Sequence, residues 1–273
     1  MTKGEVQKLI ENGVHVPPFP LIVQTAMEIV AMPNSSIGEI ADVIASDQAF
    51  SSRVLRTVNS SYYCLARTVT SIRDAIAFLG LNETLKIIYA LSARSIFGRA
   101  QSAAAWEHAF TCALFAEKLA SKNNLNPNQA YLAGLFHDVG KLFLQEYSPQ
   151  LFFQSVHDSN LTKKPLVEVE REIFGMDHAE IGGMIVDKWN LTEEIGEAIR
   201  LSHSAEGCDE PVARILQVSN RLAHYSENRR DSRYSLDKDL ISSVGLNADQ
   251  VATLVAKVRL KVTSYLVNCG SES

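Results

Sequence analysis

The sequence predicts an all-α protein. Across the chain no segment sustains the period-two alternation of a half-buried strand, whereas apolar residues recur at helical spacing behind recognisable capping residues. Imidazoles also fall on separate predicted helices, His108, His137, His178 and His203 each on a different one. Helices that each bring one such side chain to a common point are how a helical bundle builds a site.

The elements follow in order. A polar leader, 1–13, precedes His15-Val16-Pro17-Pro18-Phe19-Pro20, whose prolines favour an extended arm. Helical spacing starts at Leu21 and runs to Met32, where Pro33-Asn34 ends it. Ser36 and Glu39 have capping-box spacing before Ile40, Val43 and Ile44. Ser46-Asp47 restarts a helix that stops near Asn59-Ser60-Ser61, Ser71 and Asp74 cap a short one closed by Gly80, and Asn82 opens a longer one to Phe97. A second half begins at Ala103 with the helix of His108. Asn126-Pro127 caps the next, which is expected to carry His137 and Asp138 mid-helix. Asp177 and Glu180 form a cap pair around His178, Thr192 starts a helix whose end carries His203, and Pro211 opens one containing Asn220 and His224. The polar run Ser226 to Ser235, with Arg229, Arg230, Asp231 and Arg233, is expected to be a solvated loop before a final helix from Asn247 to about Val267. The expected organisation is a leader (1–13), an N-terminal helical subdomain (14–100), a helical bundle (101–225) and a C-terminal loop and helix packing on the bundle (226–273).

Composition narrows the function. The 273 residues carry 26 Lys and Arg against 31 Asp and Glu, and a net charge of -5 without a basic stripe argues against a nucleic-acid backbone as the main ligand. Cys64, Cys112, Cys208 and Cys269 are widely spaced, as for reduced thiols in a cytoplasmic protein. The N-terminus lacks the apolar core of a signal peptide, and no run approaches the roughly 20 apolar residues of a membrane span.

The most informative stretch is Ala133-Gly134-Leu135-Phe136-His137-Asp138-Val139-Gly140-Lys141. An imidazole and a carboxylate inside an apolar run need partners, either each other and neighbouring polar groups or a metal ion. Imidazole nitrogens with a carboxylate suit iron, zinc, manganese or nickel.

The order His108, His137-Asp138, His178, His203 resembles that of the HD metal-dependent phosphohydrolase superfamily, in which a carboxylate on a later helix ends the ligand series. Ile215 to Ala223 is similar to that last-ligand helix but has Asn220 at the carboxylate's position, and a neutral amide binds a divalent ion weakly. The Gly-Tyr-Pro signature of the cyclic-dinucleotide phosphodiesterase branch is missing after His203. In the N-terminal half, Pro17-Pro18-Phe19-Pro20, Ile40 to Ile44 with Ser46-Asp47, Leu55 to Tyr63, Ser71 to Ile76 and Leu79-Gly80 resemble the opening of an HDOD domain, the HD-related output domain of bacterial signalling proteins. The resemblance covers roughly Val14 to Ala223.

It implies an N-terminal subdomain of short helices followed by an HD-like bundle, and a regulatory module with little or no catalysis. Such a module would bind a divalent metal or a nucleotide-like second messenger, together with a signalling protein partner. The metal ligands would be His108, His137, Asp138, His178 and His203, with Asn220 a weak addition. Arg53, Arg56, Asn59, Ser60 and Tyr62 are candidates for ligand or partner contact; Asn59 to Ser61 equally fit a helix C-cap, and Arg53 and Arg56 a surface ion pair. The alternative function is a metal-dependent phosphohydrolase of nucleotides or cyclic dinucleotides, with Asp138 at the metal and Lys141 stabilising phosphate charge. A third reading leaves the histidines satisfied by carboxylates and backbone, without metal.

Overall fold

The computed structural model describes residues 2–98, 103–204, 210–227, 233 and 235–269. All regular elements among them are helices. They are α1 (Lys3–Glu11), α2 (Leu21–Ala31), α3 (Ile37–Ser46), α4 (Gln48–Val58), α5 (Ile72–Leu79), α6 (Leu81–Gly98), α7 (Ala103–Lys122) and α8 (Pro127–Phe136). There follow α9 (Val139–Tyr147), α10 (Pro149–Thr162), α11 (Leu166–Phe174), α12 (His178–Lys188), α13 (Glu193–Arg200), α14 (Pro211–Ser226), α15 (Lys238–Ser243) and α16 (Ala248–Cys269).

The expected caps set the helix starts. The Ser36 hydroxyl accepts from Glu39 N at 3.2 Å while Ser36 N donates to Glu39 Oε2 at 2.7 Å. Asp47 accepts from Phe50 N at 2.8 Å, Ser71 from Asp74 N at 3.0 Å and Asn126 from Asn128 N at 3.0 Å. Each such cap satisfies an otherwise orphaned amide and contributes about 1 kcal/mol. The loop expected at Ser226 to Ser235 lies largely outside the described residues.

The chain forms two compact units, one of residues 18–96 with 259–273 and one of 1–17 with 97–258. In the first, α3 packs against α2, α4 and α5, burying Val23, Ala26, Ile40, Ile44, Phe50, Val54, Val58 and Ile76. Asn59 fastens the end of α4 to the next loop: its amide donates to Leu55 O at 2.9 Å and Val69 O at 2.7 Å, and its carbonyl accepts from Val69 N at 2.7 Å. The Tyr62 ring lies edge-on to Tyr63 and Tyr265, at 4.7 and 5.6 Å between centroids.

In the second unit, α7 packs against α8 and α14, and α12 packs against α9 and α13. The interior of α7 is apolar apart from His108, Thr111 and Glu117, and its Phe110, Leu114, Phe115 and Leu119 are buried. Fully burying such a side chain contributes roughly 1.5–3 kcal/mol, so these contacts anchor the helix that carries His108. No helix among the described residues is long and apolar enough to cross a membrane.

Two boundaries differ from the expected ones. The leader contains α1, whose Val6 and Ile10, one turn apart, are 0% and 2% exposed and group with the bundle. The C-terminal segment, expected to lie wholly on the bundle, divides within α16: through Val258 it belongs to the bundle's unit, and from Arg259 to the other, where Tyr265 meets Tyr62.

Candidate metal centre

Two glycines bring the helices together. A Cβ on Gly134 would lie 2.7 Å from Ala113 Cα, so α8 presses its backbone onto α7. A Cβ on Gly140 would collide with His178 O and lie 2.8 Å from Gly182 N, so α9 presses onto the first turn of α12. The residues between these contacts, His137 and Asp138, are thereby held between α7 and α12. They are not mid-helix, as the sequence suggested: α8 ends at Phe136, His137 is its C-cap and Asp138 is the N-cap of α9. The chain turns there because its two flanking glycines pack on different helices. His203 likewise lies beyond α13, in a turn that Gln217 ties to α14 by donating to Leu201 O and Ser204 O, both at 3.1 Å. His178 opens α12 behind Asp177, whose carboxylate accepts from Ala179 N and Glu180 N.

The imidazoles are held by one nitrogen. His178 Nδ1 lies 2.6 Å from Glu170 Oε2, which also accepts from His178 N at 2.9 Å, and both side chains are buried. His137 Nδ1 lies 2.9 Å from Gly134 O. A donor at Nδ1 leaves the lone pair on Nε2, the arrangement that orients a metal-binding histidine. Those Nε2 atoms meet at Asp138: its Oδ1 is 3.3 Å from His137 Nε2 and 3.6 Å from His178 Nε2, and His178 Nε2 is 3.1 Å from His203 Nε2. The Lys141 ammonium sits 2.7 Å from Asp138 Oδ2.

His108 is placed differently. Its Nε2 is 3.0 Å from Asn220 Oδ1 and its Nδ1 is 2.7 Å from Glu227 Oε1, so both nitrogens face α14. Its ring is 4.4 Å from that of His224 and 5.4 Å from that of His137.

Burial lowers the His137 imidazole to about 4, with Asp138 acting in the opposite direction. Burial, and next His178, holds His203 well below the usual imidazole range. For Asp138 burial acts upward, but His137, Lys141 and His178 outweigh it and keep the carboxyl well below the usual range. Neutral imidazoles beside an ionised carboxylate are the protonation states that a cation requires.

The donor set fits a divalent ion. Asp138 Oδ1 is buried without a hydrogen-bond partner, as is the neighbouring His137 Nε2, a costly state for the carboxylate that a cation bound at Oδ1 would relieve. Asp138, His178 and His203 offer donors at 3.1 and 3.6 Å from one another, close to the roughly 3.4 Å between donors around a tetrahedral zinc. A cavity of about 680 Å³ is lined by His178, His203, Asn220 and Lys141 together with Arg171, Arg214, Arg221 and Arg233 and with Glu168, Asp237 and Asp239.

The other candidates lie in the 18–96 unit. Asn59 is occupied by backbone, Ser60 Oγ donates to Thr57 O at 2.6 Å, and Tyr62 packs among tyrosines with Lys261 Nζ 5.9 Å above its ring. Arg53 lies over Phe50 at 5.3 Å, and Arg56 is exposed in the last turn of α4. Sequence reasoning missed Glu170 and Glu227, and passed over His224 as a ligand. Glu170 carries no local signal, but Asn220, His224 and Glu227 fall at i, i+4 and i+7, one stripe of α14.

Fold and site together define an all-α protein with buried imidazoles gathered around a His-Asp pair. The chain belongs to the HDOD domain family, whose model matches residues 16–205. An HDOD domain protein of unknown function from Geobacter sulfurreducens has the same fold, with a TM-score of 0.72 at 24% identity over 94% of this chain and 93% of that one. A Shewanella amazonensis protein provisionally named a phosphohydrolase aligns with a TM-score of 0.76 at 19% identity, over 95% of this chain and 96% of that one. An uncharacterized Treponema pallidum protein is 22% identical over 86% of the chain and 47% of its own length, and Ribonuclease Y of Petrotoga mobilis is 23% identical over 73% and 32%. The chain thus spans less than half the length of these curated relatives.

Proposed function

We propose that the chain is a regulatory module that holds one divalent cation at Asp138, His178 and His203 and takes a phosphate-bearing, nucleotide-like ligand in the cavity beside it, with little or no turnover. The observation that carries the reading is the pairing of a preorganised donor set with a neutral Asn220. His178 Nε2 lies 3.1 Å from His203 Nε2 and 3.6 Å from Asp138 Oδ1, separations suited to a shared ion, while the Asn220 amide in the cavity lining hydrogen-bonds His108 and adds no charge. A bound cation would polarise a phosphate oxygen and lower the pKa of bound water. The chain's own residues do the rest. Glu170 fixes the His178 ring, His137 and Lys141 keep Asp138 ionised, and the arginines lining the cavity supply positive charge on a chain whose net charge is -5. Fewer fixed charges at the ion leave it suited to binding phosphate more than to cleaving it. Exposed Leu21, Met32, Ile37 and Phe78 on the N-terminal helices support docking of a signalling protein partner.

The test is metal content by plasma mass spectrometry of untagged protein, with calorimetric titration of nucleotides into the loaded form. Asp138→Ala and His178→Ala are expected to lose the ion and with it phosphate affinity; metal content unchanged in both folded variants refutes the site. Lys141 and His203 in the cavity lining favour a second reading, a phosphohydrolase weakened by Asn220. That reading requires turnover of an activated phosphodiester, raised at least tenfold by Asn220→Asp; inertness of both forms eliminates it.

A further inference from the structure

The geometry points to a second cation site built by His108, His224 and Glu227, on the α14 side of the His-Asp centre. The stripe formed by Asn220, His224 and Glu227 turns its side chains towards α7, and the His108 ring answers it with both nitrogens. The donor atoms of His108, His224 and Glu227 lie within 4.8 Å of one another. A zinc ion with bonds of about 2.1 Å spans donors up to about 4.2 Å apart, so rotation of side chains alone would complete the site. Two imidazole nitrogens and one carboxylate oxygen form a donor set that zinc and cobalt accept, with a further position left for water.

Burial adds a second argument. His108 and His224 are 4% and 5% exposed, while the Glu227 side chain is 16% exposed at the C-cap of α14. Two interior imidazoles with a carboxylate at the rim give an ion both a dry seat and a way in from solvent. The competing account has Glu227 merely orient His108 for the ion at Asp138. That account explains the 2.7 Å contact and uses the approach of His108 to within 4.8 Å of His137 and Asp138, so the two accounts part only when the Asp138 centre is removed.

The inference does not require the first ion, so the two can be tested apart. Full-length protein stripped with chelator is titrated with Co(II), read by ligand-field absorption and by competition against a chromophoric chelator. Wild type should take up two equivalents. Asp138→Ala/His203→Ala should take up one, and this remaining equivalent should vanish on adding His224→Gln and weaken at least tenfold on adding Glu227→Gln. Circular dichroism confirms folding, and the rim change Glu227→Gln gives a readout should His224→Gln unfold the protein. The second site is overturned if the double variant binds no cobalt, or if neither added substitution alters its binding. Wild type holding a single equivalent that depends on His224 and survives Asp138→Ala refutes the proposed function while keeping this site.

Discussion

At the scale of single residues, the centre depends on groups kept in protonation states that burial and charge select. His137 titrates at about 4 in the folded chain, against about 6.5 for a free imidazole. Between those values the unfolded chain binds a proton that the folded chain refuses, so stability falls as pH drops from about 6.5 to 4. His203 is lowered in the same direction and adds to the loss. Asp138 acts in the same direction but in a lower window: its depressed carboxyl contributes stability above about pH 3.9, lost only as pH falls toward its folded value. For His137 alone the loss is about 3 kcal/mol across the window. Urea midpoints of chelator-treated protein should therefore fall between pH 7 and 5, and His137→Gln should flatten that slope. An unchanged slope in the variant would mean that His137 is not the residue held neutral. The identity of this residue was legible in the sequence because an imidazole in an apolar run must be specially accommodated. Its partners were not, since Gly134 O is a backbone atom and Glu170, which holds His178 in the same way, becomes its neighbour only once α11 packs on α12.

At the scale of elements, the helix starts were legible because caps are local: Ser36, Asp47, Ser71, Asn126 and Asp177 each bond amides two or three residues on. The break at His137 and Asp138 was not, because it is imposed by tertiary contact at Gly134 and Gly140. Gly140→Ala measures that contact. The added methyl would meet His178 O and Gly182 N, backbone atoms that cannot swing aside. Overpacking of this kind costs about 1–3 kcal/mol or more, and the shift should also pull Asp138 from His178 and abolish metal uptake at the Asp138 centre. Gly4→Ala is the opposing case: nothing lies within 4 Å of its added methyl, and α1 should gain up to about 1 kcal/mol from the better helix former. Thermal melts of the two variants should move in opposite directions, and equal metal content in Gly140→Ala and wild type would rule out the α9 to α12 contact as the device that sets the site.

At the scale of the whole molecule, every proposed metal donor falls in the unit of residues 1–17 and 97–258, and none in that of 18–96 and 259–273. A ligand that binds only the folded state stabilises it by about 2.7 kcal/mol at a hundredfold excess over its dissociation constant. Because that stabilisation enters through α7, α9, α12 and α14, hydrogen exchange should slow first in the segments that these helices carry: the turns at His137 and His203 and the start of α12. Amides of α2 to α5 should exchange at the same rate with and without metal, which a mass-spectrometric comparison of peptides from 18–79 and from 127–204 would read directly. Protection spread equally through both sets would show that the ion stabilises the chain globally, and protection confined to 18–79 would move the cation site out of the helical bundle altogether.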